Sequence, residues 1–137
     1  MFLGRSVKGR WHHLAHSRLT ILERLVDGGF FKNNRQMIVS CRWPSIYRLC
    51  QSLRSMTHLE TLNVLHWTLR LKQDVPQLFR SCPKLTEMRL KLAKAHNFEM
   101  NEELKNELRS GFQRLRLVEL HWDIPADSWP VVQEMFT

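Results

Sequence analysis

Glycine is scarce, five in 137 residues, and the five are too scattered to build a phosphate-cradling loop. No G-x-x-x-x-G-K-[ST] and no G-x-G-x-x-G stretch occurs, and neither do G-x-S-x-G or H-E-x-x-H. Cysteine is limited to Cys41, Cys50 and Cys82, an odd number without C-x-x-C spacing. That count gives no disulfide framework and no zinc knuckle, and it fits a reduced intracellular protein, cytoplasmic or nuclear. No run of about 18 uncharged apolar residues exists, which excludes a membrane-spanning helix. The opening residues Met1 to Ser6 lack the apolar stretch of a secretory signal, so none is expected. Nothing among these residues suggests a reaction centre, and the expectation is a non-enzyme without cofactor or metal.

Acidic residues are the scarcer charge, 13 against 21 Lys plus Arg, for a net charge of +8. The excess is uneven. Residues 1–60 hold ten basic and three acidic side chains, whereas the remainder holds eleven and ten. A basic half of this kind draws in acidic surfaces or a phosphate backbone. Dispersed arginines that only keep a domain soluble give the same count. The length suits one domain.

What the chain has in quantity is repetition. Leu59-Glu-Thr-Leu62-Asn-Val64, Leu85-Thr-Glu-Met88-Arg-Leu90 and Leu115-Arg-Leu-Val118-Glu-Leu120 share one pattern, L-x-x-(L/M/V)-x-(L/V). The first two start 26 residues apart and the next two 30. A weaker fourth copy lies in Gln36–Ser40, with Met37 placed 25 residues before Leu62. Leu65-His66-Trp67 and Leu120-His121-Trp122 add an aromatic echo, one residue out of register. These spacings resemble leucine-rich repeats, in which one short strand and one helix recur. The resemblance implies an α/β leucine-rich-repeat solenoid, with short parallel strands alternating with helices and helical caps at both ends.

The intervening segments read as helices. Ile46, Leu49, Cys50 and Leu53 fall at helical spacing after Pro44. Asp74 is the expected N-cap of a helix carrying Val75, Leu78, Phe79 and Cys82, which Pro83 stops. Glu102 and Glu103 place acid in the first turn of a helix with Leu104 and Leu108 inward, and Gly111 is expected just past its end. Asp127 is the expected cap of a last helix whose Trp129, Val132, Met135 and Phe136 close the stack. Trp11 to Val26 reads as an amphipathic helix before Gly28-Gly29. The expected division is therefore an N-terminal helical cap over residues 1–33 and repeats with a C-terminal helical cap over 34–137.

Strand side chains alternate between faces. With Leu59, Leu62, Val64 and their equivalents inward, three columns point outward onto the concave face. They are Gln36, Thr61, Glu87, Leu117; then Ile38, Asn63, Arg89, Glu119; then Ser40, Leu65, Lys91, His121. Apolar anchors among charged neighbours suit a protein partner better than a small substrate. The candidate partner-binding residues are Thr61, Asn63, Leu65, Glu87, Arg89, Lys91, Glu119 and His121, with Asn63, Arg89 and Glu119 as polar selectors and Leu65 as the apolar anchor.

Ser81-Cys82-Pro83-Lys84-Leu85-Thr86-Glu87-Met88-Arg89-Leu90 resembles more closely the C-P-x-L-x-x-L-x-L step of the repeats in F-box proteins. Lys8-Gly-Arg-Trp-His-His-Leu-Ala-His16 resembles the end of an F-box. The resemblance implies the substrate-recognition part of a ubiquitin-ligase receptor, with the ligase adaptor as a second partner.

His12 and His16 stand at i, i+4, a spacing compatible with metal, yet no acidic or thiol ligand lies nearby, and a solvated cluster is the simpler reading. Cys50 and Cys82 fall on apolar helix stripes, where a buried thiol is the default. The competing function is nucleic-acid binding by the basic N-terminal half, with Trp11, Trp43 and Tyr47 available for stacking. No helix-turn-helix or RNP-type pattern accompanies it.

Overall fold

The computed structural model describes residues 2–3, 32–39, 43, 45–94 and 99–135. Five strands form one sheet in chain order: β1 (Phe2–Leu3), β2 (Gln36–Val39), β3 (Thr61–Leu69), β4 (Glu87–Leu92) and β5 (Leu117–Trp122). Every neighbouring pair is parallel. Helices α1 (Ile46–Arg54), α2 (Val75–Ser81) and α3 (Glu102–Arg114) alternate with strands β2 to β5. A 3-10 turn (Ala126–Ser128) and a short helix α4 (Trp129–Glu134) follow β5. Parallel strands need a crossover between them, and each helix supplies one.

The apolar pattern dictates this layering. Met37, Val39, Leu62, Val64, Met88 and Leu90 are all fully buried, and they join Leu49, Leu53, Leu78 and Leu108 of the helices in one core. Helix α1 packs on α2, and α2 on α3. The opposite face of the sheet carries the polar alternation.

One hydrogen-bonded unit recurs through the chain. The carbonyls of Arg35, Glu60 and Thr86 each accept two backbone N–H groups from the next turn. These come from Glu60 and Thr61 (2.8 and 2.9 Å), Thr86 and Glu87 (2.8 and 3.0 Å), and Arg116 and Leu117 (2.7 and 3.2 Å). Just upstream, the N–H groups of Leu59, Leu85 and Leu115 donate to the carbonyls of Met56, Cys82 and Phe112 at 3.1, 3.2 and 3.1 Å. Met56, Cys82 and Phe112 are each 3 % exposed, so they are equivalent plugs between helix and strand, and only one of them is a cysteine.

Caps account for the helix starts. Ser45 accepts the N–H of Arg48 (3.2 Å) and Asn101 that of Leu104 (2.7 Å). Asp74 holds the cap position of α2 but makes no side-chain cap bond. Its carboxylate instead accepts the N–H of Arg70 (2.7 Å) and the Arg70 guanidinium (3.2 Å to Nη2), because Pro76 leaves the first turn short of donors. Asp127 does not cap α4 either. It lies in the 3-10 turn, Ser128 holds the cap position, and Pro130 supplies no N–H.

Three more expectations are corrected. Gly111 lies inside α3, buried, rather than past its end. At the C-terminal end Val132 and Met135 do the closing, at 3 % and 1 % exposure, while Trp129 is 49 % exposed. Within the expected N-terminal cap, Phe2–Leu3 pairs with Ile38 and Val39 as a strand. The expected helix over Trp11 to Val26, with His12, His13 and His16, and also Cys41 and Phe136, lie outside the described residues.

Candidate sheet-face interface

The register joins the outward side chains into rows. Gln36, Thr61, Glu87 and Leu117 stand side by side, as do Ile38, Asn63, Arg89 and Glu119. Both rows match the expected columns. The third differs: Lys91 stands beside His121 on one side and beside Thr68, not Leu65, on the other. Ser40 lies outside the described residues.

The cause is a register shift in β3. Val64 pairs with Leu90 and Thr68 with Lys91, so Leu65, His66 and Trp67 have no counterpart in β4. The side-chain Oδ1 of Asn63 accepts the N–H of Leu65 (3.1 Å), a local bond that competes with the ladder and starts the excursion. Trp67 then turns back into the core, at 9 % exposure, and Leu65 is half-buried. Leu65 therefore belongs to the bulge rather than to the anchor row. Asn63, expected to select a partner, spends its carbonyl on the backbone.

Charge on this face is paired, twice between β4 and the start of β5 and once within β5. Arg116 Nη2 donates to Glu87 Oε1 (2.8 Å), Arg89 Nε to Glu119 Oε2 (2.9 Å), and His121 Nε2 lies 2.9 Å from Glu119 Oε1. The Arg116 hydrogen bond, helped by the charges of Arg116 and Arg89, holds the Glu87 carboxyl below its usual range. The His121 bond and then the Arg89 bond do the same for Glu119. Thr61, Asn63, Glu87 and Arg89 are half-buried, and Lys91, Glu119 and His121 are exposed. Leu117, 41 % exposed, and half-buried Ile38 are the apolar members. Arg116 is a member that the strand pattern missed. It lies one residue before β5, and only its equivalence to Thr86 in the recurring turn marks it.

Chemically, this face offers hydrogen-bonding and charged groups beside apolar side chains. Cys50 and Cys82 lie elsewhere. Burial pushes Cys82 up to about 12 and raises Cys50 as well, so both stay protonated near neutral pH. On the helical side an open depression of about 330 Å³ lies between α2 and α3, lined by Phe79, Arg80, Glu107, Gly111 and Arg114 among others. Its charged pair is tied up, with Arg80 Nη2 on Glu107 Oε2 at 2.7 Å. Among the described residues no group of three or more His, Cys, Asp or Glu side chains is placed to hold a metal ion. No helix among them is long and apolar enough to cross a membrane. The chain matches no protein-family model, no curated protein and no solved structure.

Proposed function

We propose that this chain is a leucine-rich-repeat module that binds an intracellular protein partner through the sheet face opposite its helices, without catalysis. The observation that carries the reading is the twice-accepting carbonyl of Arg35, Glu60 and Thr86, which recurs 25 and 26 residues apart and seats each new strand beside the last. Units that each bury their apolar side only against a neighbour are the logic of a solenoid, and a solenoid offers a broad strand surface. Mixed polar and apolar character supports a protein as the occupant. The selectors are Thr61, Glu87, Arg89, Lys91, Glu119 and His121, with Leu117 as anchor in place of Leu65.

The Cys82-Pro83 step extends the proposal to the substrate-recognition part of an F-box-type ubiquitin-ligase receptor. Affinity purification from the native cell tests both levels. Co-recovery of a ligase adaptor and cullin supports the receptor reading, and RNA alone supports a nucleic-acid binder. The double variant Arg89→Glu/Lys91→Glu should lose the protein partner while keeping its circular-dichroism spectrum. Full recovery by the folded variant rejects the sheet face. Binding that falls by orders of magnitude between about 50 and 200 mM salt would instead mark a phosphate-driven contact.

A further inference from the structure

A second depression, of about 290 Å³, lies at the C-terminal ends of α1 and α2. The repeat makes it the counterpart of the one between α2 and α3. Counted from the plugs Met56, Cys82 and Phe112, its Arg54, Thr57, Ser81 and Lys84 hold the positions of Arg80, Pro83, Gly111 and Arg114. The depression between α2 and α3 answers its own charges. Arg80 pairs with Glu107, and Arg114 Nη2 donates to the carbonyls of Phe79 and Cys82, both at 3.4 Å. Its counterpart does not. Gln77 stands where Glu107 stands one turn later, and its amide donates to the Gln73 carbonyl (2.7 Å). Arg54 and Lys84 are exposed and make no hydrogen bond or ion pair among the described residues, and the Thr57 hydroxyl has no hydrogen bond there either. Glu60 follows Leu59 but pairs with neither cation. The carbonyls that end α1 do not dominate the site, since those of Ser52 and Leu53 already accept the N–H groups of Ser55 and Met56 (3.1 and 3.0 Å). The lining thus offers two uncompensated positive charges and a free hydroxyl, with no carboxylate. Met56, Leu59 and Pro83 complete the wall.

We propose that this depression binds a small phosphate monoester, with the phosphoryl group between Arg54 and Lys84 and the organic part against Met56, Leu59 and Pro83. Near neutral pH a phosphoryl group carries a charge close to −2 and three strong acceptor oxygens. That matches two free cations and a hydroxyl donor, whereas a carboxylate brings one charge and two oxygens. The guanidinium of Arg54 can hold two phosphoryl oxygens at once, and Lys84 serves as a point charge. The volume stands near the lower end for ligand cavities, so the occupant is small, and the apolar wall suits an organic body behind the phosphoryl group. The site lies away from the sheet face and does not depend on the protein-partner reading.

Titration of the full chain with phenyl phosphate, followed by backbone-amide NMR, tests this. Saturable shifts should centre on residues 54–59 and 81–85. Inorganic phosphate lacks the organic body and benzoate lacks the second charge, so each should bind about tenfold more weakly. Lys84→Ala should weaken phenyl phosphate about tenfold as well. Gln77→Glu sets a carboxylate where Glu107 stands in the next turn, and it should abolish binding by engaging Arg54. The absence of saturable shifts overturns the proposal, as do shifts centred elsewhere. So does benzoate or inorganic phosphate binding as tightly as phenyl phosphate, or a folded Lys84→Ala or Gln77→Glu chain that binds undiminished. If a variant fails to fold, the three probes on the unaltered chain decide alone: equal affinities, or shifts away from these two segments, reject the site.

Discussion

Gly111 shows how one absent carbon sets the distance between two helices. A Cβ built there would lie 2.3, 2.5 and 2.6 Å from three ring atoms of Phe79. That ring cannot retreat. It is 4 % exposed, meets Phe112 edge-on at 5.1 Å between centroids, and carries the Arg114 guanidinium 5.8 Å above it. In an open helix, replacing glycine by alanine gains about 0.5–1 kcal/mol. Here overpacking opposes that gain at about 1–3 kcal/mol, and the clash wins. Gly111→Ala should lower the melting temperature, and adding Phe79→Leu should return part of the loss by vacating ring atoms. A melting temperature raised by Gly111→Ala would show that α2 and α3 can separate at little cost.

Among the elements, β4 and β5 bring together groups that are 29 and 30 residues apart, Glu87 with Arg116 and Arg89 with Glu119. Both carboxyls titrate below their usual range in the folded chain. A depressed folded value means that the unfolded chain binds protons first. These pairs therefore stabilise fully above the ordinary carboxylate range, near 4.3, and stop doing so as pH falls through the folded values. In a carbon-detected carboxyl titration, Glu87 should have a midpoint below the ordinary one. Arg116→Ala should move that midpoint upward, and the acid limb of the stability curve should flatten. An unmoved midpoint would mean that Arg89 and Thr61 hold the carboxylate without Arg116.

The same strands measure what was legible in the sequence. Period two and the recurring leucines gave two of the three outward rows, because ladder pairing between parallel strands obeys the register that the repeat sets. Position 65 escaped, since the shift depends on one side-chain bond from Asn63, and composition does not reveal whether an asparagine turns to its own backbone or outward. The two Leu-His-Trp echoes look equivalent, yet Trp122 stands in the column of Leu69 while Trp67 lies within the bulge. Asp74 and Asp127 read as caps from their position, but prolines just inside each helix removed donors that a cap would serve. Gly111 read as a stop because its contact with Phe79 comes from another turn of the chain.

At the scale of the whole sheet, each described strand–helix unit packs on its neighbours, so a side chain's worth depends on how many neighbouring units it has. Leu59, Leu85 and Leu115 occupy the same point of successive turns, each donating its N–H to the residue three before it. Leu59 and Leu85 are 1 % and 0 % exposed, while Leu115 is half-buried, because no further turn lies over it among the described residues. Truncating a fully buried leucine to alanine costs about 2–5 kcal/mol, the lost transfer energy plus the cavity left behind. A half-exposed leucine loses less area and leaves a space that water fills. Leu85→Ala should therefore fall in that range by urea denaturation, and Leu115→Ala well below it, although local sequence and backbone are alike. Equal costs at the two positions would show that the end of the stack is as tightly covered as its middle, and the gradient of burial along the sheet would then carry no energetic meaning.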